Sequence, residues 1–395
     1  MLKRGPGLLV FLALVVLAAG WVTASRMGYL DRLQARLFPR AAPPVKLTAG
    51  DFPAGVAAPV GDIASVPLRP TLIGFTPRGS SAALLLATGS AVQPDVAPSA
   101  EDRRAGLFKS DYALDASAIV YAREGELKTA LARGADNGGV DMAIVTVDRL
   151  AAWLPDLRDA APRTVLLVGR SRGQEALAAV GADSVSALRG KRIGVYEDGS
   201  AWFFLLWALS RGGLSLDDVK WVPLPSTLDA GRALREGRAD AVAGLFGDVS
   251  LAARDRGGVV LATSADAPHL VTSVLVVRGE FAARYPDAVR RVIRGLLDAA
   301  ASVLRDPEPG ARILGEVAPY LGDPTEAIKS APPATLQDNL AFFGLSGEAP
   351  VTYDELFQSA TALFQKLGKV KKGTVAAEET RDLGALKYVS EARGP

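Results

Sequence analysis

Gly199 and Ser200 are the first residues that could do chemistry, because they follow a short apolar run, 192–196, and precede a stretch of helical period. A helix start offers unpaired backbone N–H groups and the positive end of the helix dipole, which together bind anions. We therefore expect Gly199 and Ser200 to bind the anionic head group of a ligand. The alternative is that they form an ordinary helix cap.

Two further positions repeat this arrangement of a polar residue after an apolar run. Thr146 with Asp148 follows one run, and Gly247 with Asp248 follows another. Aspartate at such a position is a good helix cap, but its carboxylate could also hold an amine on a ligand. Both roles stay open for Asp148 and Asp248.

Arg78 lies in a short polar turn, together with Gly79, Ser80 and Ser81. A guanidinium forms two-pronged hydrogen bonds with carboxylates, sulfonates and phosphates, so this turn is a candidate anion site. A solvated arginine is the alternative.

Three more residues are candidate ligand contacts. Ser171 and Ser226 fall in corresponding loops, and Trp202, just inside a helix, could stack on a flat or methylene-bearing ligand. The neighbouring aromatic residues 203, 204 and 207 are expected in the core.

The composition excludes several other kinds of site. The chain has no cysteine and a single histidine, His269, so thiolate chemistry, disulfides, multi-histidine metal sites and a lipoprotein anchor are impossible. We expect His269 to have a packing or hinge role, and we expect neither cofactor nor catalytic residue. The 45 basic and 43 acidic residues show no basic run, which argues against a nucleic-acid partner.

The elements that must position these residues alternate between strand and helix. Residues 188–248 read as strand, helix, strand, helix, strand, which is an α/β pattern, and 395 residues are too many for one core. Two α/β lobes are therefore expected. The predicted strands are 71–75, 112–121, 142–147, 164–169, 192–196, 219–224, 241–246, 259–262 and 271–277. The predicted helices include 82–88, 126–133, 148–153, 281–305 with an interruption at Tyr285-Pro286, 309–321 and 334–343. A last helix is predicted to begin with a capping box of Thr352 and Glu355 and to stop at Gly368.

A weak internal repeat supports two lobes. Ala130-Leu131, Gly134, Asp141 and Asp148 correspond to Ala233-Leu234, Gly237, Asp240 and Asp248. Two lobes that present the same strand, loop and helix start to a shared cleft would produce this pattern, although two αβ units can also match by chance.

The amino-terminal part resembles an export segment. Residues 1–24 carry Lys3 and Arg4, an apolar run at 8–22 and a small-residue pattern at 22–24. The run has 15 residues against about 20 for a comfortable span, so a cleaved signal and a retained anchor both remain possible. Residues 25–70 form a linker that is rich in proline from residue 39 onward.

Several short motifs together resemble the substrate-binding proteins of nitrate/sulfonate/taurine-type (NitT/TauT, NMT1/THI5-like) ABC importers. They are LRGKRIGV at 188–195, Gly199-Ser200, LSRGGL at 209–214, DDV at 217–219, Ala233-Leu234, Gly237, ADA at 239–241, and Phe281 with Tyr285-Pro286. The resemblance covers about residues 71–367 and is specific only as a combination.

The resemblance implies a type II periplasmic-binding fold, with two doubly wound α/β lobes on a two-segment hinge. The first lobe would comprise 71–169 and 266–370, the second 170–265, and residues 371–395 would be a tail. It also implies an exported protein that captures a small organic or oxyanionic solute, such as a sulfonate, taurine, nitrate or a pyrimidine, and delivers it to permease subunits in the membrane. The missing lipoprotein cysteine and the long linker suggest a tether through residues 8–22.

The fold implied by this resemblance could also serve two other functions. An enzyme of the related pyrimidine-synthase branch would draw on histidine and a cysteine-rich stretch, and this chain has one histidine and no cysteine. A membrane-anchored sensor or interaction module that kept the fold without the import role is the remaining alternative.

Overall fold

The short β-rich runs of the chain assemble into two separate sheets in a computed structural model. The structure describes residues 66–93, 106–371 and 376–393. The predicted export segment and most of the linker lie outside the described residues. Within those ranges, the helices are too short or too polar to span a bilayer.

The first sheet has six strands in the order β2-β3-β1-β4-β11-β5. β1 pairs in parallel with β3 and β4, whereas β11 runs antiparallel to β4 and β5. The strands are β1 (Thr71–Phe75), β2 (Ala91–Val92), β3 (Ala116–Val120), β4 (Met142–Thr146), β5 (Arg163–Arg170) and β11 (Thr272–Val277). All but β2 are buried almost throughout, as expected for a sheet covered on both faces.

The second sheet has five strands in the order β10-β6-β9-β7-β8. β7 pairs in parallel with β8 and β9, and β6 runs antiparallel to β9 and β10. These strands are β6 (Glu175–Ala179), β7 (Arg192–Val195), β8 (Lys220–Pro223), β9 (Ala241–Leu245) and β10 (Val259–Thr263).

Helices follow most of the parallel strands. Those that follow strands of the first sheet are α1 (Ser81–Thr88), α2 (Leu107–Tyr112), α3 (Glu124–Arg133) and α4 (Val147–Trp153), and those that follow strands of the second are α5 (Ser200–Arg211), α6 (Ala230–Arg235) and α7 (Phe246–Asp255). After β11 the chain is helical, with α8 (Gly279–Arg284), α9 (Pro286–Arg305), α10 (Glu308–Val317), α11 (Pro324–Ser330), α12 (Leu336–Phe342), α13 (Tyr353–Lys366) and α14 (Gly384–Arg393).

The chain crosses between the two sheets at two adjacent places. Ser171, just after β5, contacts Ser264, just after β10, through their hydroxyls at 2.6 Å. The Ser264 hydroxyl also accepts the backbone N–H groups of Gly173 and Glu175. The two crossings are therefore tied to each other by buried hydrogen bonds.

The two halves of the predicted repeat have matching local structure. Asp141 accepts the N–H of Leu72 at the start of β1, and Asp240 accepts the N–H of Arg192 at the start of β7. Gly134 and Gly237 both have positive φ, at 79° and 68°. The two halves therefore correspond in structure as well as in sequence. In each half, the aspartate at the start of one strand holds the neighbouring parallel strand in place.

Several elements differ from the predictions. The predicted strand 112–121 begins only at Ala116, because residues 107–112 form a helix that buries Phe108. Strand β6 was missed, and the carboxyl-terminal tail contains α14, which packs on α9 through buried Leu386 and Val389.

Other predictions were confirmed. The helix 281–305 is divided at Tyr285-Pro286 into α8 and α9. Thr352 and Glu355 form the predicted capping box of α13, and Gly368, with φ of 69°, follows its end.

Candidate functional site

A cluster of buried charged residues lies where the carboxyl ends of β1, β3 and β4 face β6 and the start of α5. Arg78 comes from the turn after β1, Glu124 from the start of α3, and Arg149 from the first turns of α4. Glu175 begins β6, and Ser200 begins α5. The cluster therefore joins the two sheets, and each of its members follows or begins a strand.

Arg78 binds two groups of the opposite lobe. Its Nη1 donates to Glu175 Oε1 and its Nη2 donates to Ser200 Oγ. Arg78 and Glu175 are 7% and 0% exposed, so the ion pair is shielded from water. Burial alone would raise the pKa of the Glu175 carboxyl, but the charge and the hydrogen bond of Arg78 outweigh burial and hold the pKa below its usual value.

Glu124 reaches across the same seam without an arginine hydrogen bond. Its carboxylate lies close to Arg78 and Arg149 and to the backbone N–H groups of Glu124 and of Ser200, the latter at the start of α5. Burial raises the pKa of the Glu124 carboxyl, although the charges of Arg78 and Arg149 and both N–H groups oppose the rise. A carboxylate thus lies near the amino end of α5, where the helix dipole favours negative charge.

Arg149 is the second buried cation of the cluster. Its Nε donates to Asp148 Oδ2 at 2.9 Å, and its Nη1 donates to the carbonyl of Glu197, in the opposite lobe, at 2.6 Å. The guanidinium also lies 5.1 Å from the ring centre of Phe364. Its Nη2 is buried without a hydrogen-bond partner, so one donor remains available.

Two cavities flank these groups. A small one of about 10 Å³, enough for a single water, is lined by Arg78, Glu124, Thr146, Arg149 and Ser200 among others. The Thr146 hydroxyl in it is buried and unpaired. A wider cavity of about 530 Å³ opens between the ends of β3, β7 and β8, and its lining includes Tyr121, Arg123, Gly125, Tyr196 and Pro225.

The structure brings four of the predicted ligand residues together, namely Arg78, Thr146, Asp148 and Ser200. The first two and Ser200 line the small cavity, and Asp148 orients Arg149 there. Gly199 is the N-cap residue of α5, and a Cβ on it would lie 2.8 Å from Thr227 Oγ1.

Gly79 and Ser80 belong to the packing behind Arg78. A Cβ on Gly79 would lie 1.9 Å from the carbonyl oxygen of Ala327, so glycine is required there by the close approach of α11. Ser80 is buried against Gly169. Both residues fix the turn that aims Arg78.

The other predicted residues do not line the small cavity. Trp202 is buried in the core, with its ring edge-on to Trp221 at 5.1 Å. Ser226 donates to the Asp229 carboxylate at 2.9 Å within its own turn, and Ser171 is part of the crossing between the lobes.

Gly247 and Asp248 also lie outside the cluster. The Asp248 carboxylate accepts the N–H of Gly231 at 2.8 Å and contacts Arg235, so it joins α7 to α6 within one lobe. Gly247 is exposed near the carbonyl of Leu321.

Sequence reasoning missed Glu124, Arg149 and Glu175. Glu175 carries a usable signal, because it is a single charged residue at the head of the apolar run 176–180. A charge at such a position is buried only with a partner. Arg149 directly follows Asp148, and the sequence pattern favoured Asp148 because aspartate is a common helix cap.

A family model matches the part of the chain that contributes Glu175 and Ser200 to this cluster. Residues 172–309 match the model of the NMT1/THI5 like family. A Brucella abortus (strain 2308) protein, named as a binding protein without a stated solute, is 32% identical over 168 residues, which are 41% of this chain and 51% of that protein. The chain thus spans about half the length of the curated relatives it matches.

Solved structures match over most of the chain. The periplasmic aliphatic sulphonate binding protein SsuA of Escherichia coli is 18% identical, with a TM-score of 0.60 over 80% of this chain and 92% of that one. The periplasmic nitrate-binding protein NrtA of Synechocystis PCC 6803 is 12% identical, with a TM-score of 0.60 over 83% and 90%. The desulfurization enzyme DSZB, 15% identical, has a TM-score of 0.55 over 82% and 99%, so the fold also carries catalysis.

These matches confirm the expected fold and the resemblance on which it was based. Residues 172–309 match the NMT1/THI5 like family model, and the chain has the two-lobed α/β fold seen in periplasmic binding proteins.

Proposed function

We propose that the protein is an extracytoplasmic solute-binding protein of an ABC importer, and that it binds a small anionic solute between its lobes without changing it. The observation that carries the proposal is the cluster around Arg78 and Arg149. Two buried guanidinium groups and the start of α5 converge where the lobes meet. Guanidinium groups and helix starts are the groups that bind sulfonate, nitrate or carboxylate.

The proposed mechanism is closure of the hinge around the solute. Arg78 and Arg149 belong to one lobe, and Ser200 belongs to the other. A solute that contacts both sides gains interactions in the closed form that the open form lacks, and this difference shifts the equilibrium toward closure. The permease subunits would then recognise the closed shape.

The proposal also includes export of the chain and its attachment to the membrane. The run 8–22 would direct the chain out of the cytosol, and if it is retained, it would tether the protein to the inner membrane with residues 25–70 as a spacer. The proposal excludes catalysis. Its basis is the composition, because one histidine, His269, and no cysteine leave few groups for acid–base or nucleophilic chemistry.

The test is a thermal-shift panel on the full chain. Methanesulfonate, taurine, nitrate, pyrimidines and amino acids are added in turn, since a ligand at 100 times its Kd stabilises the folded state by about 2.7 kcal/mol. We expect an anion of the sulfonate or nitrate class to raise Tm, and we expect Arg78→Ala to abolish the rise.

Arg189→Gln is the matched control, because the Arg189 side chain is 62% exposed and, among the described residues, its ion pair is with Asp218. This variant should respond as the natural protein does. No stabilisation by any member of the panel would refute the proposal.

A further inference from the structure

The guanidinium of Arg78 is held on both of its terminal nitrogens by groups of the opposite lobe. Nη1 donates to Glu175 Oε1, at the start of β6, and Nη2 donates to Ser200 Oγ, at the start of α5. The Ser200 hydroxyl in turn donates to Glu175 Oε1 at 3.3 Å. The three side chains therefore form one hydrogen-bonded unit across the seam between the lobes.

All three side chains of this unit are shielded from water. Arg78, Glu175 and Ser200 are 7%, 0% and 2% exposed. Burial of a single charge is costly unless an opposite charge is buried with it. Closure of the lobes over Arg78 therefore requires an anion beside its guanidinium, and the chain itself supplies that anion as Glu175.

Both charges are presented to the seam from fixed backbone positions. The N–H of Glu175 donates to Ser264 Oγ at 3.2 Å, beside the crossing between the lobes. On the other side, the N–H of Arg78 donates to Ser81 Oγ at 3.0 Å in the turn after β1. Because the two residues belong to different lobes, their ion pair forms only when the lobes meet.

An anionic solute that bound Arg78 would compete for the same two nitrogens. Nη1 and Nη2 now hold separate oxygen atoms, so an oxyanion with two oxygens could replace both, whereas a halide could replace one. Replacement would leave the Glu175 carboxylate buried beside the solute and without its cation. Two anions in that place repel each other strongly, because the local dielectric constant is low.

We propose that Glu175 is a built-in counter-ion that takes the place of the solute's anionic group, so that the lobes close over Arg78 without solute and an oxyanion binds only by displacing Glu175. The proposal rests on the solute-binding function proposed above. It adds a residue that lowers the affinity for the solute and makes closure of the natural chain largely independent of binding.

Neutral replacements of the two partners should behave differently from each other. In Glu175→Gln, Arg78 lacks its counter-ion, so the lobes should stay open without an oxyanion and close when one binds. In Arg78→Gln, Glu175 is the charge without a partner, so the lobes should stay open whether or not an oxyanion is added. The natural chain should be closed in both conditions.

Two spin labels on the full chain can report the separation of the lobes, because the sequence has no cysteine of its own. The labels are attached through Thr129→Cys in α3 and Asp198→Cys after β7, at two exposed positions. These positions face each other, since a Cβ on Gly125, one turn from Thr129, would lie 3.8 Å from Asp198 Oδ2. Pulsed electron spin resonance then measures the distance between the labels with and without methanesulfonate.

Calorimetry on the unlabelled full chains measures the affinity for methanesulfonate, nitrate and bromide. Glu175→Gln should bind the two oxyanions about tenfold or more tightly than the natural chain, because a minor binding-competent state lowers the apparent affinity by its fractional population. Arg78→Gln should bind neither oxyanion. Bromide, with a single atom, should be the weaker ligand of every chain that binds.

Glu236→Gln is the matched control for these variants. Glu236 pairs with Arg238 at the surface of the second lobe, and the two side chains are 50% and 42% exposed. The same change of carboxylate to amide at this position should leave both the label distance and the affinities as they are in the natural chain.

The outcomes separate the two proposals. If the natural chain binds the oxyanions and Glu175→Gln binds them no more tightly, the counter-ion role is wrong and the solute-binding function stands. An unchanged label distance without anion, in either Glu175→Gln or Arg78→Gln, also overturns that role. If no chain binds either oxyanion, both proposals fail, since Glu175→Gln would have freed Arg78.

Discussion

At the scale of single residues, the most consequential contact is the ion pair of Arg78 with Glu175. Both side chains are buried, so neither can return to water without breaking the seam between the lobes. A buried pair adds little net stability compared with well-packed apolar residues, but the loss of one partner leaves an uncompensated charge. Replacement of either residue alone should therefore destabilise the protein far more than replacement of both residues together.

We predict that Glu175→Ala lowers the free energy of unfolding by about 3–5 kcal/mol at neutral pH. The double replacement Arg78→Met with Glu175→Leu should cost less than Glu175→Ala alone. Glu326→Ala, at an exposed pair, should change stability by about 1 kcal/mol or less. Urea denaturation gives all three values, and equal losses for the single and double variants would contradict the argument.

The stability difference between the natural protein and Glu175→Ala should depend on pH in a definite direction. The folded-state pKa of Glu175 is lowered, so its stabilising contribution is present above the ordinary carboxyl pKa and is lost as pH falls through the folded value. The gap between the natural protein and Glu175→Ala should therefore narrow on acidification.

At the scale of elements, periodicity and turn chemistry predicted most of the fold. Strands β1, β4, β7 and β9 were predicted to within one residue at each end, because apolar runs bounded by glycine, proline and polar residues have few other solutions. The missed strand β6 begins with buried Glu175 and has an alanine-rich sequence, which is a weak strand signal. Its pairing partners, β9 and β10, are distant in sequence.

The candidate site was predicted less completely than the fold, for a physical reason. Capping positions such as Ser200 can be read locally, whereas the partners of Arg78 come from residues 97 and 122 positions away. A sequence shows which groups end a strand. It does not show which of them meet across a seam. The sequence alone therefore could not tell that Asp148 and Arg149 belong to the cluster and that Asp248 and Trp202 do not.

The packing of α2 on α9 provides a test at this scale. A Cβ on Gly295 of α9 would lie 2.6 Å from Cε1 of buried Phe108, so Gly295→Ala should cost about 1–3 kcal/mol through overpacking. The matched control is Gly315→Ala in α10, where the nearest atom would be 3.4 Å away. This control should be neutral or stabilise by up to about 1 kcal/mol, because alanine is the better helix former. Thermal unfolding measures both, and a cost no larger at Gly295 than at Gly315 would contradict the packing argument.

At the scale of the whole molecule, the lobes are held together at several points. Arg149 donates to the Glu197 carbonyl, Lys369 pairs with the Glu197 carboxylate at 2.6 Å, and the rings of Phe203 and Phe364 are 6.1 Å apart. Both buried charged contacts and contacts nearer the surface therefore hold the cleft closed.

We predict that Arg149→Ala shifts the full chain toward an open form, because it removes a donor to the opposite lobe and leaves Asp148 buried without its partner. Small-angle scattering should show a larger radius of gyration than in the natural protein and in Arg189→Gln. A saturating anion should not restore the smaller value. An unchanged radius would show that the remaining contacts suffice for closure.

The hydroxyl of Ser264 connects the crossing of the lobes directly to Glu175, whose N–H it accepts at 3.2 Å. Glu175 therefore lies beside the crossing, and a hinge rotation about the crossing would move it little. The pair of Glu197 with Lys369 lies at the surface instead. Opening should accordingly proceed from the periphery inward, with the contacts of Lys369 lost early and the contact between Arg78 and Glu175 lost last.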